Sequence, residues 1–237
     1  MANAIANALR IELSDEEARM ISTTQTESIE AYDYYIKGRT LSYFYEAQKN
    51  VEAIEYYKKA IEIDPQYSLP YAGISRVRMS QFTFQFMDQD FSSFALKEAE
   101  EFAKKAVLLG PNEAETNFAL GFFYNATQQF DLAFTSFNKA IMLNPSHAHA
   151  HDEIGDVYLY NYGDFNSAIR WYDKALQRDR ELVPAKWFKA EIFLRSGQVN
   201  EALKNVNEAI IDHPNVCLLY TSPSPRDATL SRMPSSA

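Results

Sequence analysis

Apolar and polar positions keep a helical spacing along most of the chain, and small residues punctuate it at long, regular intervals. Ala53, Ala99, Ala133, Ala168 and Ala202 are separated by 46, 34, 35 and 34 residues, and another alanine follows each seven positions later: Ala60, Ala106, Ala140, Ala175 and Ala209. Five residues further stand Pro65, Pro111, Pro145, Arg180 and Pro214, so Arg180 is the one departure from proline. This register predicts helix pairs at 31–46 and 50–63, 68–85 and 91–109, 114–128 and 131–143, 148–161 and 165–179, and 183–196 and 199–212. The expected fold class is all-α.

The residue types follow from packing. Alanine lets two helix backbones approach closely without sacrificing helix propensity. Between each alanine pair sits a knob, Tyr57, Ala103, Phe137, Tyr172 or Val206, with Ala103 the smallest. Proline then ends the second helix, because it has no N–H to donate and disfavours helix at the residue before it. Glycines precede the alanines as Gly38, Leu120-Gly121 and Ile154-Gly155, while Ser75 and Ala190 take that place in the second and fifth units.

These residues resemble the tetratricopeptide repeat, a 34-residue helix-turn-helix unit with a Leu-Gly, Tyr, Ala, aromatic and Pro pattern. The resemblance implies a right-handed α-α superhelix of about five units: 31–67, 68–113, 114–147, 148–182 and 183–216. About twelve extra residues fall in the second unit, around Gln81 to Phe94, and are expected to extend its hairpin. Ahead of the repeats, 1–30 reads as a helical linker, with capping-box spacing at Ser14–Glu17 and Thr24–Glu27 and a short helix expected near 14–22.

Both ends carry further resemblances. Residues 2–39, with the Ala-Tyr-x-x-Tyr-x-x-Gly-Arg run at their end, resemble the segment that joins a signalling domain to tetratricopeptide repeats in bacterial class III adenylate/guanylate cyclase-like regulators. No cyclase catalytic motif is present, so that resemblance implies a non-catalytic regulatory fragment. After Val216 the helical period stops. Cys217–Asp227 (CLLYTSPSPRD) and Ser231–Ala237 resemble translated sequencing-library adapter and primer, so 217–237 is expected to be a disordered, non-native tail, with the natural chain continuing past Asn215.

Composition narrows the chemistry. The chain has 237 residues, 46% hydrophobic and 23% charged, with 23 Lys+Arg against 32 Asp+Glu for a formal charge of −9. An acidic chain with scattered cations argues against nucleic acid, and no apolar run is long enough for a membrane span, so a cytoplasmic location and no membrane partner are expected. No phosphate loop, nucleophile elbow or HExxH motif occurs, which argues against an enzyme and implies no cofactor. His147 and His151, four apart on one helix face, could with Asp152 ligate zinc or nickel, but three ligands from one helix start seldom close a site. The simpler reading puts His151 in an aromatic packing position, His147 in a turn and His149 toward the groove.

The superhelix implies a concave wall built from the first helix of each unit, suited to an extended peptide or a partner domain. The register places Tyr35, Arg39, Arg76, Phe118, Phe122, Asn125, Asp152, Asp156, Tyr160, Trp187, Glu191 and Arg195 there, together with Tyr43, Ala72 and Met79. Phe118, Phe122, Tyr160 and Trp187 are expected to be exposed. Arg39 and Arg76 lie toward the start and Asp152, Asp156 and Glu191 toward the end, a polarity that would orient a peptide. The Lys/Asn clamp of chaperone-binding members is not matched by Tyr35, Arg39, Ala72 and Arg76. An open C-terminal edge would permit self-association.

Overall fold

The computed structural model describes residues 26–42, 47–83 and 89–212; the helix expected at 14–22 and the tail 217–237 lie outside the described residues. Among the described residues the regular structure is helical throughout. The helices are α1 (Ile29–Ser42), α2 (Ala47–Ile63), α3 (Ser68–Thr83), α4 (Gln89–Leu109), α5 (Ala114–Ala126), α6 (Phe130–Leu143), α7 (Ala148–Val157), α8 (Phe165–Arg178), α9 (Val183–Arg195) and α10 (Val199–Asp212). Consecutive helices pair as five hairpins. Both helices of each hairpin then touch the first helix of the next, so α1, α3, α5, α7 and α9 form one continuous layer with the second helices behind it. The architecture is an all-α superhelix of helix-turn-helix units.

The alanine register accounts for this stack. Ala53, Ala60, Ala99, Ala106, Ala133, Ala140, Ala168, Ala175 and Ala209 are all 0% exposed, and Ala202 is 6% exposed. In the first, third and fourth hairpins the knob reaches toward the first helix. A Cβ built on Gly38, Gly121 or Gly155 would come within 2.8, 2.6 or 2.5 Å of the rings of Tyr57, Phe137 or Tyr172. The missing side chain is therefore the space that the ring fills.

The second hairpin reverses this trade. Its knob is Ala103, and Ser75 stands at the glycine place with its Oγ donating to the Ala99 carbonyl at 2.8 Å. A small knob leaves room for a side chain on the facing helix, and the buried hydroxyl finds its acceptor across the gap. In the fifth hairpin the same two places are taken by buried Ala190 and half-buried Val206.

Turns between hairpins share a device that proline alone did not reveal. Asp64, Asn144 and Asp179 each accept, through Oδ1, the backbone N–H two residues on. This side-chain turn explains how Arg180 replaces proline without loss of the turn, since Asp179 still ties down Glu181. At Gly110 the tie is made from the far side, where Thr116 Oγ1 donates to its carbonyl at 2.6 Å.

Several helix ends depart from the expected boundaries, and three of the departures follow from visible features. α1 begins at Ile29, not 31, because Ser28 Oγ accepts the Ala31 N–H as a cap. The insertion in the second unit lengthens α4 to 21 residues, with 84–88 outside the described residues. α7 gives way at Tyr158–Tyr162 to a single π turn, closed by Gly163 at φ 62°. The spacing from Gly155 to Ala168 is one residue longer than that from Gly121 to Ala133, and a π turn is how a helix absorbs one extra residue.

Candidate functional site

The first-helix layer carries the chemistry, and its centre spans three hairpins. Glu115, in the first turn of α5, places Oε2 3.3 Å from Arg76 Nη1 of α3 and Oε1 3.3 Å from His147 Nε2 at the start of α7. His147 is held by its own helix, because Nδ1 accepts the Ala150 N–H at 3.1 Å and caps α7.

Phe118, one turn after Glu115, is the apolar hub of this cluster. The Arg76 guanidinium carbon lies 5.2 Å from its ring centroid. The rings of His147, His149 and Phe122 lie 4.7, 6.2 and 6.1 Å away. Phe118 is 3% exposed, which corrects the expectation of an exposed ring: it is the floor of the layer, and the half-buried Phe122 stands beside it.

Electrostatics follow from this crowding. Burial alone would raise the Glu115 carboxyl, but the His147 imidazole 3.3 Å away and, after it, the Arg76 guanidinium outweigh it and hold the group well below the usual carboxylate range. His149 is pushed down to about 3, first by burial and then by the positive potential of Arg76 and His147. Burial, followed by the charge of Glu115, pushes the Tyr35 hydroxyl of α1 far up.

The later part of the layer is knit by neutral donors to acids. Asn125 Nδ2 donates to Glu153 Oε2 at 2.8 Å, and the Tyr160 hydroxyl donates to Glu191 Oε2 at 3.0 Å. The Tyr172 hydroxyl donates to Asp156 Oδ1 at 2.7 Å. Arg195 pairs with Glu191 one turn away.

The expected wall residues thus separate by depth. Arg39 and Arg195 are exposed, and Arg76, Phe122, Tyr160, Trp187 and Glu191 are half-buried. Tyr35, Phe118, Asn125, Asp152 and Asp156 are buried, as are Ala72 and Met79, while Tyr43 lies outside the described residues. The acidic end of the expected polarity is accordingly sunk into the layer at Asp152 and Asp156. Sequence reading left Glu115 out of the wall, although it sits one repeat length, 34 residues, before His149, which that reading did aim at the groove.

The three histidines take packing and capping places. His151 Nδ1 lies 3.0 Å from the His147 carbonyl, and its ring centroid is 5.7 Å from that of Trp171. Among the described residues no group of three His, Cys, Asp or Glu side chains is arranged to hold a metal ion. Among them, too, no helix is long and apolar enough to cross a membrane.

Comparison with known proteins agrees with this geometry. Residues 34–67 and 114–147 match the family model described as tetratricopeptide repeat. Anaphase-promoting complex subunit 6 of Arabidopsis thaliana is 26% identical over 145 residues, 61% of this chain and 24% of that protein. The chain therefore spans about a quarter of that curated relative's length. Among solved structures, a thermophilic tetratricopeptide-repeat protein of Thermus thermophilus superposes with a TM-score of 0.64 at 18% identity, covering 85% of this chain and 99% of that one. The pilF protein of Pseudomonas aeruginosa superposes with a TM-score of 0.54 at 18% identity, covering 77% of each chain. At such identities these two likenesses concern the fold alone. Two segments of the chain match the tetratricopeptide repeat, and the fold is that of a tetratricopeptide-repeat solenoid.

Proposed function

We propose that this protein is a non-catalytic, cytoplasmic interaction scaffold whose first-helix layer receives an extended peptide or the surface of a partner protein. The observation that carries the reading is the lining of successive first helices. Half-buried Phe122, Tyr160 and Trp187 stand among Arg39, Arg76, Glu191 and Arg195, so apolar contact area and polar anchors alternate along one continuous face. Proteins built from these repeats generally mediate contacts with other proteins, and the curated relative is by its name a subunit of a complex. The cyclase-linker reading of 2–39 gains nothing from the matches described above, and most of that segment lies outside the described residues.

The test is selection of peptides from a displayed random library on the full chain, followed by calorimetry on the variants Arg76→Glu, Phe122→Ala and Trp187→Ala. A groove ligand should lose at least about tenfold in affinity for one or more of them, the weight of a single interface anchor. Equal affinity across all three would place the binding surface elsewhere.

A further inference from the structure

We propose that Glu115 is a positioning residue of the wall: an electrostatic brace that sets the angle between the second, third and fourth hairpins and so fixes where Arg76 and Phe122 stand. Its use in binding rests on the groove reading above; its effect on shape does not. Three observations converge on it.

The first is reach. One carboxylate engages Arg76 on α3 with one oxygen and His147 at the start of α7 with the other, each at 3.3 Å, so it touches the hairpin before its own and the hairpin after it. The bond of Tyr160 to Glu191 and that of Asn125 to Glu153 each join only two neighbouring hairpins. A group tied to both neighbours resists opening and closing of the stack at two interfaces together.

The second is rigidity of the arms. His147 cannot turn away without surrendering the cap on Ala150, and its side chain is 4% exposed. Arg76 is steadied by the Phe118 ring under its guanidinium. A brace is useful only when its ends are fixed, and both ends here are fixed by contacts other than Glu115.

The third is charge. The groups facing Glu115 are Arg76 from α3, His147 and His149 from α7, and Tyr35 from α1. They are cationic or neutral, so the carboxylate remains ionised and acts as the shared negative centre of the junction. Replacing it by an amide leaves the volume nearly unchanged but removes the charge that draws α3 and α7 together.

The experiment measures shape and binding separately. Spin labels at Lys105→Cys on α4 and Gln177→Cys on α8, both exposed positions, report the separation of the second and fourth hairpins by electron–electron resonance, in a Cys217→Ser background. Glu115→Gln is expected to shift or broaden the distance distribution by about 2 Å, the scale of small helix displacements. His147→Asn should do the same, because asparagine keeps a good helix cap yet is too short to reach Glu115. Should Glu115→Gln fail to fold, His147→Asn and Arg76→Gln carry the test. Thr135→Ala, exposed on α6, is the control and should change nothing.

Affinity for a peptide selected on the wild-type chain is then measured on the same proteins. A changed distance with affinity reduced about fivefold or more supports the brace and its role in binding. A changed distance with unaltered affinity leaves the brace standing and defeats the groove reading. Distances unchanged in every folded variant overturn the proposal, whatever the affinity does.

Discussion

The second hairpin and the fourth solve one packing problem in opposite ways. In the fourth, Gly155 gives up its side chain so that the Tyr172 ring can lie against α7 and reach Asp156. In the second, Ala103 gives up the ring, and Ser75 uses the room for a hydroxyl that bonds across the gap. The lesson is that the repeat can close this contact from either helix, with a ring over a glycine in the fourth hairpin and with a side-chain hydrogen bond in the second, where Met79 and Phe123 pack with Ala99 and Ala103. The segments matched to the repeat model, 34–67 and 114–147, are ones with a ring over a glycine.

The comparison can be broken hardest at Tyr172. Tyr172→Ala should cost about 3 to 5 kcal/mol, the range for emptying a buried aromatic site, and it also strips buried Asp156 of a donor. Chemical denaturation followed by circular dichroism would read this. A loss below about 1 kcal/mol would mean that the glycine–ring contact does not hold the hairpin together. Gly155→Ala probes the same contact from the other side. A Cβ 2.5 Å from a buried ring must displace it, so a loss of about 1 to 3 kcal/mol is expected in the same measurement.

The same trade predicts a rescue in the second hairpin. Ala103→Phe alone should destabilise by about 1 to 3 kcal/mol through overpacking, and adding Ser75→Gly should recover part of that loss although Gly within a helix is itself unfavourable. A double variant no better than the sum of its parts would show that the two positions are independent. Ser75→Ala is milder, about 0.5 to 1.5 kcal/mol for one hydrogen bond.

The smallest effect at neutral pH is expected at His149, which occupies in the fourth unit the place Glu115 has in the third. Its folded-state value of about 3 lies below the value near 6.5 of an exposed imidazole, so the unfolded chain binds the proton more readily. The stability this neutral histidine confers is complete above about pH 6.5 and declines as pH falls toward 3. His149→Gln should therefore leave the urea midpoint at about pH 7.5 nearly unmoved while flattening its fall between about pH 6.5 and 4. An equal acid slope in both proteins would refute the assignment.

Much of the fold was legible because alanine spacing is a steric requirement that each hairpin repeats. Nine of the ten marker alanines are wholly buried, and the helices lie close to where that spacing put them. The lining was less legible. Counting along the helices identified which residues share the inner layer, yet depth within it depends on neighbours from other hairpins, and so Phe118, Asp152 and Asp156 are buried while Phe122 and Trp187 are only half-buried. Glu115 escaped notice for the same reason, since its partners lie 39 residues before it and 32 after it.

By itself, then, the amino-acid order determined the helices, their pairing and the small-residue seams, because these depend on local propensity and on a period each unit enforces for itself. Only the tertiary structure decided that a serine's hydroxyl bonds across the gap where other hairpins place an aromatic ring, that a π turn absorbs one surplus residue, and that one carboxylate links three hairpins. Each of those outcomes is set by distances between segments far apart in the chain, which close packing fixes and spacing along a single helix does not.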